Sequence, residues 1–182
     1  MNLVIYANTG PKVGLGHIYR CLPIASIFRD HQWDVDLYTP EDISSFEKGW
    51  KKSLFIDIFP KIKFNSTVIL DSYEDNNDWQ QLISQRPDLT FVRFDDRKDS
   101  IEGEDLIINT APNAQSKNYS SDALCGPEFS LMDSIFLDYR KNNIDEGINS
   151  IIVGLGGSDV NNKISICKFL SRLIYIRNCT SH

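Results

Sequence analysis

The amino-acid sequence predicts an α/β protein: a mostly parallel β-sheet with helices on both faces. Three observations carry this. Short apolar runs recur along the chain, each bounded by turn residues. Segments with apolar residues at helical spacing separate those runs. Polar residues follow the runs directly, as expected where strand ends share one open edge of a parallel sheet. A chain of 182 residues is ample for one buried core.

The elements follow in order. Residues 3–7 (LVIYA) are apolar and rich in strand formers. Residues 8–16 supply loop chemistry through Asn8, Gly10, Pro11, Gly14 and Gly16. From His17 the spacing is helical, with Ile18, Leu22, Ala25 and Phe28 on one side. Pro23 removes a helical hydrogen bond and crowds the Tyr19 carbonyl. The expectation is a kinked first turn, or a regular helix starting near Leu22. Residues 35–38 form a second strand, and residues 42–52 a short helix and loop. Residues 67–70 (TVIL) are the next strand, ending in DSY, and residues 76–85 a helix holding Trp79, Leu82 and Ile83. Strands follow at 91–94, ending in Asp95-Asp96, and at 106–108, ending in Asn109. Residues 113–122 and 140–149 read as exposed connections. A last strand at 150–153 runs into GLGGSD, before a final helix over about 161–176. No internal repeat or low-complexity linker interrupts the series.

Composition narrows the function classes. A net charge of -6 opposes a general nucleic-acid binder, which would show a basic stripe. No apolar run approaches the roughly 20 residues of a membrane span. The start MNLVIYANTG has no basic n-region or cleavage site and reads as a first strand, so a cytoplasmic protein is expected. Cys21, Cys125, Cys167 and Cys179 show no CxxC spacing, which opposes a zinc site. Free buried thiols are expected instead, with Cys21 a core residue.

The chemistry gathers at strand ends. Gly14-Leu15-Gly16-His17, Asp71-Ser72-Tyr73, Asp95-Asp96 and Asn109 each follow an apolar run, and a parallel sheet would bring them to one crevice. Singly, each has a plain reading. Aspartates after strands cap helices or hold turns, Asn109 suits a turn, and Tyr73 suits half-buried packing. The loop VGLGHIYRC is not GxGxxG, because Tyr19 stands at the third glycine position, and it is not a P-loop. A dinucleotide site is therefore disfavoured. A loop entering a helix still offers N–H groups and a positive dipole end to an anionic or polyhydroxylated ligand. His17 falls in the first turn of that helix, where a neutral imidazole can accept a proton. Arg20, one turn on, binds an anion or forms a surface ion pair. His31 and His182 have no supporting residues.

Together these stretches resemble a known family. GLGHIYRCLPIA resembles the GxGHxxRCLxLA start of the UDP-sugar hydrolases of pseudaminic acid biosynthesis, members of a glycosyltransferase-B-like superfamily. DSYEDNNDW is similar to the family's strand-end DxY and its following helix with tryptophan. RFDDRKDSIEGEDLIINTAPNA resembles its DD, aspartate, strand and asparagine, and Tyr119 falls where a tyrosine is usual. LCGPEFSLMDSIF resembles LLGPxYALLRxEF, with Asp133 in place of the arginine and Ile135 in place of the acidic residue. IIVGLGGSDVNN resembles the GGSDxxN loop. Six blocks in order over residues 3–162 are far more specific than any one of them.

The resemblance implies a Rossmann-like N-terminal half of a glycosyltransferase-B-like fold over residues 1–149. Residues 150–182 would open a second, nucleotide-binding domain, most of which this chain would lack. It implies hydrolysis of a UDP-activated diacetamido-trideoxyhexose to UDP and free sugar, without metal or cofactor. His17 is the implied base. Gly14, Gly16, Arg20, Asp71, Tyr73, Asp95, Asn109, Gly156, Gly157 and Ser158 are the substrate-binding candidates. Without the leaving-group half, the expectation is no more than trace hydrolysis. Two other readings stand beside this one: a non-catalytic domain binding a sugar or partner protein, and a sugar transferase with an acceptor other than water. The apolar face Ile164, Cys167, Leu170 and Ile174 suggests self-association or a companion chain.

Overall fold

Along a strand, alternate side chains face opposite layers, so a strand covered on both faces must be apolar throughout. The run at 3–7 meets that condition and becomes an interior strand of the sheet in the computed structural model. The structure describes residues 1–73, 77–97 and 103–132. The expected connection at 140–149, strand at 150–153, loop with Gly156, Gly157 and Ser158, and helix at 161–176 lie outside the described residues.

The described elements are β1 (Asn2–Ala7), α1 (Gly16–Asp30), β2 (Asp34–Thr39), β3 (Trp50–Lys52), α2 (Phe55–Ile58), β4 (Thr67–Asp71), α3 (Asn77–Ser84), β5 (Thr90–Phe94), β6 (Leu106–Asn109) and β7 (Asp122–Cys125). The strands form one sheet in the order β3-β2-β1-β4-β5-β6-β7. Every neighbouring pair is parallel. This is the α/β, Rossmann-like architecture that the alternating runs predict.

Alternation assigns the two cores. Leu3, Ile5 and Ala7 of β1 pack with Ile18, Cys21, Ile24 and Ala25 of α1 on one face. Val4 and Tyr6 turn to the other face, with Phe55, Ile58, Phe59, Trp79 and Ile83. There Phe55 stacks on Trp79 with ring centroids 4.4 Å apart, and Tyr6 meets Phe55 edge-on at 5.4 Å. Cys21 is a fully buried core residue.

Three local expectations are corrected. The regular helix begins at Gly16 rather than near Leu22, with Pro23 inside it. Proline forfeits one backbone bond to Tyr19, but the buried face of α1 offsets that, at roughly 1.5–3 kcal/mol for each large apolar side chain. The segment 42–52 ends as a strand, not a helix: Trp50 of β3 pairs with Leu37 and joins the α1-side core with Ile43. Residue 122 begins β7, which pairs with β6, so the exposed connection ends one residue sooner. β3 and β7 are too short to show a period.

The sheet places the site. The chain lays β2 and β3 on one side of β1, then crosses to add β4 on the other. Strand order thus reverses between β1 and β4, and the C-terminal ends of strands at such a reversal are where open α/β sheets bind ligands. Ala7 and Asp71 are register partners there, and the Asn8 N–H donates to the Asp71 carbonyl at 2.8 Å. No helix among the described residues is long and apolar enough to cross a membrane.

Candidate functional site

The glycine loop leaves β1 and folds on itself before entering α1. Gly14 N–H donates to the Gly10 carbonyl at 2.8 Å, and the Thr9 hydroxyl donates to the Gly14 carbonyl at 2.9 Å. Gly14 has φ +78°, a left-handed conformation that costs a side-chain-bearing residue about 1 kcal/mol or more. Gly16 opens α1, and a Cβ built there would meet nothing within 4 Å. His17 follows in the first turn and is 5% exposed.

What holds His17 comes from the next strand over. Asp71 ends β4, is 1% exposed, and lies 2.5 Å from His17 Nδ1 through its Oδ1. A carboxylate buried to that degree requires partners. Arg20, one helical turn after His17, supplies them: Nε donates to Asp71 Oδ2 at 2.8 Å and an Nη donates to Oδ1 at 2.5 Å. An ionised carboxylate only accepts, so Nδ1 of a neutral His17 carries the hydrogen and Nε2 keeps the lone pair. This is the aspartate–histidine relation that orients a general base and stabilises the imidazolium it becomes.

Arg20 also reaches β5. Its terminal nitrogens donate to both oxygens of Asp96, each at 2.9 Å, and its guanidinium lies over the Phe94 ring at 4.4 Å. Burial disfavours the guanidinium charge, but the hydrogen bonds and charges of Asp71 and Asp96 outweigh it and raise its pKa. Burial likewise pushes the Asp96 carboxyl up, and Arg20 together with the Tyr73 hydroxyl more than reverses this, leaving it below its ordinary value. Tyr73 donates to Asp96 at 2.9 Å, meets the His17 ring edge-on at 4.4 Å, and has the Arg97 guanidinium over its ring at 4.3 Å. Burial, then the Asp96 charge, push its hydroxyl up to about 12, so it remains a donor.

The remaining strand-end residues form a second, neighbouring cluster. Asp95 is 1% exposed; its Oδ1 accepts the Arg97 N–H at 3.1 Å, and an Arg93 nitrogen lies 3.9 Å from its Oδ2. Arg93 in turn bonds Glu104. Asn109 is fully buried, donates to the Tyr119 hydroxyl at 2.8 Å, and accepts the Ala111 N–H at 3.0 Å. Both residues hold turns, as the plain reading of such positions anticipates.

The structure therefore brings His17, Arg20, Asp71 and Tyr73 together, beside the loop of Gly14 and Gly16. It adds Asp96, which the sequence reading passed over in favour of Asp95. The signal available was the doublet itself, two carboxylates directly after β5, of which Asp95 is buried and Asp96 exposed. Among the described residues, no three His, Cys, Asp or Glu side chains are grouped to hold a metal ion. The assembly's chemical capacity is proton transfer by an oriented imidazole at a sheet crevice.

Comparison with known proteins adds a distant likeness. No family model matches the chain. The uncharacterized protein MJ1062 of Methanocaldococcus jannaschii is 21% identical over 207 aligned positions, which cover 96% of this chain and 40% of that relative. The chain thus spans about two-fifths of the length of the relative it matches.

Proposed function

We propose that the chain carries the water-activating half of a UDP-sugar hydrolase acting on a diacetamido-trideoxyhexose in nonulosonic acid biosynthesis. The observation that carries this reading is the His17–Asp71 contact of 2.5 Å at the point where strand order reverses. It leaves Nε2 of His17 as a base at the position where open α/β sheets bind ligands.

His17 Nε2 takes a proton from water, and the water oxygen attacks the anomeric carbon. The bond from that carbon to the diphosphate oxygen breaks, and UDP leaves with the electron pair. Asp71 stabilises the imidazolium formed at His17. The loop of Gly14 and Gly16 lets the sugar approach the backbone. Arg20 has its donors on Asp71 and Asp96, so the departing diphosphate is stabilised by groups from a nucleotide-binding half. The fold continuing as a glycosyltransferase-B-like pair of domains in the cytoplasm belongs to the same proposal.

The test is UDP release from the UDP-diacetamido-trideoxyhexose by wild type and His17→Ala. Both are measured alone and mixed with a separately expressed nucleotide-binding domain of a UDP-sugar hydrolase. Release in the mixture that falls about 100-fold or more in His17→Ala supports the reading. Release that ignores His17, or no release in any mixture, overturns it.

A further inference from the structure

A buried carboxylate can orient a histidine only if its own rotation is fixed. In this protein the fixing comes from outside the histidine–aspartate pair. Arg20 presents one edge of its guanidinium, Nε and an Nη, to Asp71, and its other edge to Asp96. One Nη is shared between the two carboxylates, and the guanidinium also lies over Phe94. A planar fork with donors on two edges can do this; an ammonium group cannot.

Charge gives the arrangement a second consequence. With neutral His17, the ions of the cluster are Asp71, Asp96 and Arg20, two negative and one positive. The cluster is left with one unit of negative charge, which an imidazolium at His17 would neutralise. The groups facing His17 are Asp71 from β4, Tyr73 beyond β4, and Arg20 on its own helix, whose Nη is 3.4 Å from Nδ1. Behind them stand Asp96 beyond β5, Arg97 over Tyr73, and the Cys21 thiol at 3.7 Å from Asp71.

We infer that Arg20 and Asp96 are positioning residues: Arg20, anchored on Asp96, sets the orientation of Asp71 and through it the tautomer and proton affinity of His17. This rests on the reading of His17 as a base. Asp96 then adjusts the base from a distance, without touching substrate, and Arg20 is a brace rather than an anion site.

The experiment uses the full chain with ¹⁵N-labelled histidine, His17 being assigned by its loss in His17→Ala. The ring nitrogens report tautomer and protonation directly. Wild type should show a proton on Nδ1 and a bare Nε2 when neutral. In Asp96→Asn the cluster loses one negative charge, so the His17 signals should titrate at lower pH, by about 0.5–1 unit. In Arg20→Ala it loses the positive charge, so they should titrate at higher pH by a similar amount, with the tautomers mixed. Arg20→Lys should restore most of the titration but not the single tautomer. Asp88→Asn, at the separate Arg86–Asp88 pair, is the control and should move neither. Asp96 is at the surface, so Asp96→Asn remains informative should Arg20→Ala not fold. Shifts of the same sign in the two variants, or none in Asp96→Asn, overturn the inference. The signals are read without substrate. Expected shifts with no His17-dependent UDP release would therefore sink the proposed reaction and leave the brace standing.

Discussion

At the scale of single residues, Asp71 has the most to lose. It accepts from His17 and from two nitrogens of Arg20, and is 1% exposed. Asp71→Asn keeps the shape but offers an N–H where an acceptor is needed. UDP release should drop by roughly 10²–10⁴-fold, with KM changing far less, as steady-state kinetics in the complemented assay would show. Cys21 tests the same burial without substrate. Burial, then the Asp71 charge, raise its thiol well above the ordinary range. Iodoacetamide mapping by mass spectrometry should find Cys21 unmodified in the native protein and modified in urea, while the more accessible Cys125 reacts in both.

Asp96 gives a pH signature at this scale. Its folded carboxyl lies below its ordinary value. A depressed folded pKa means stability that is complete above the unfolded value, near pH 4, and is lost as pH falls through the folded one. The urea midpoint of wild type should therefore exceed that of Asp96→Asn at pH 6, and the gap should close as pH falls through the depressed folded value. A gap that stays constant with pH would refute the ion-pair account.

At the scale of elements, the two glycines of the loop separate backbone need from ligand need. Gly14 requires its left-handed φ, whereas Gly16 has open space for a Cβ. Gly14→Ala should destabilise by about 1 kcal/mol or slightly more in urea titration, because the strain is intrinsic. Gly16→Ala should leave the midpoint unchanged or slightly higher, since alanine suits a helix better. If the loop lets a sugar approach the backbone, Gly16→Ala should nonetheless raise KM. The elements also show which patterns a sequence exposes. The long buried face of α1 and the apolar runs of β1, β4, β5 and β6 were readable. β3, α2 and β7 span three or four residues each, too few to repeat a pattern, and only their neighbours bring them into the fold. β3 illustrates this: Trp50 is buried while Lys51 and Lys52 face solvent at the end of the sheet, a charged edge that discourages further pairing.

At the scale of the whole molecule, stability centres on β1 because it borders both halves of the sheet. Ile5 is fully buried, and Ile56 of α2 is 54% exposed. Ile5→Ala should cost about 2–5 kcal/mol of unfolding free energy, and Ile56→Ala within about 0.5, by denaturant titration. Similar losses at both would contradict a core organised around β1. The same topology makes the site, since the reversal of strand order opens the crevice where His17 and Asp71 meet.

The sequence by itself determined the α/β class, the central strands, the glycine loop, and the histidine at the start of α1, because these rest on local patterns. Tertiary structure decided which polar groups act together. His17 and Asp71 are 54 positions apart, and Arg20 and Asp96 are 76 apart. Nothing in their local sequences specifies those partners. Parallel pairing brings the ends of β4 and β5 to the start of α1, and the burial of Asp71 makes that carboxylate demand donors. Arg20 meets the demand with one edge of its guanidinium, and the other edge reaches Asp96 at the surface, which gives both residues their place in the site.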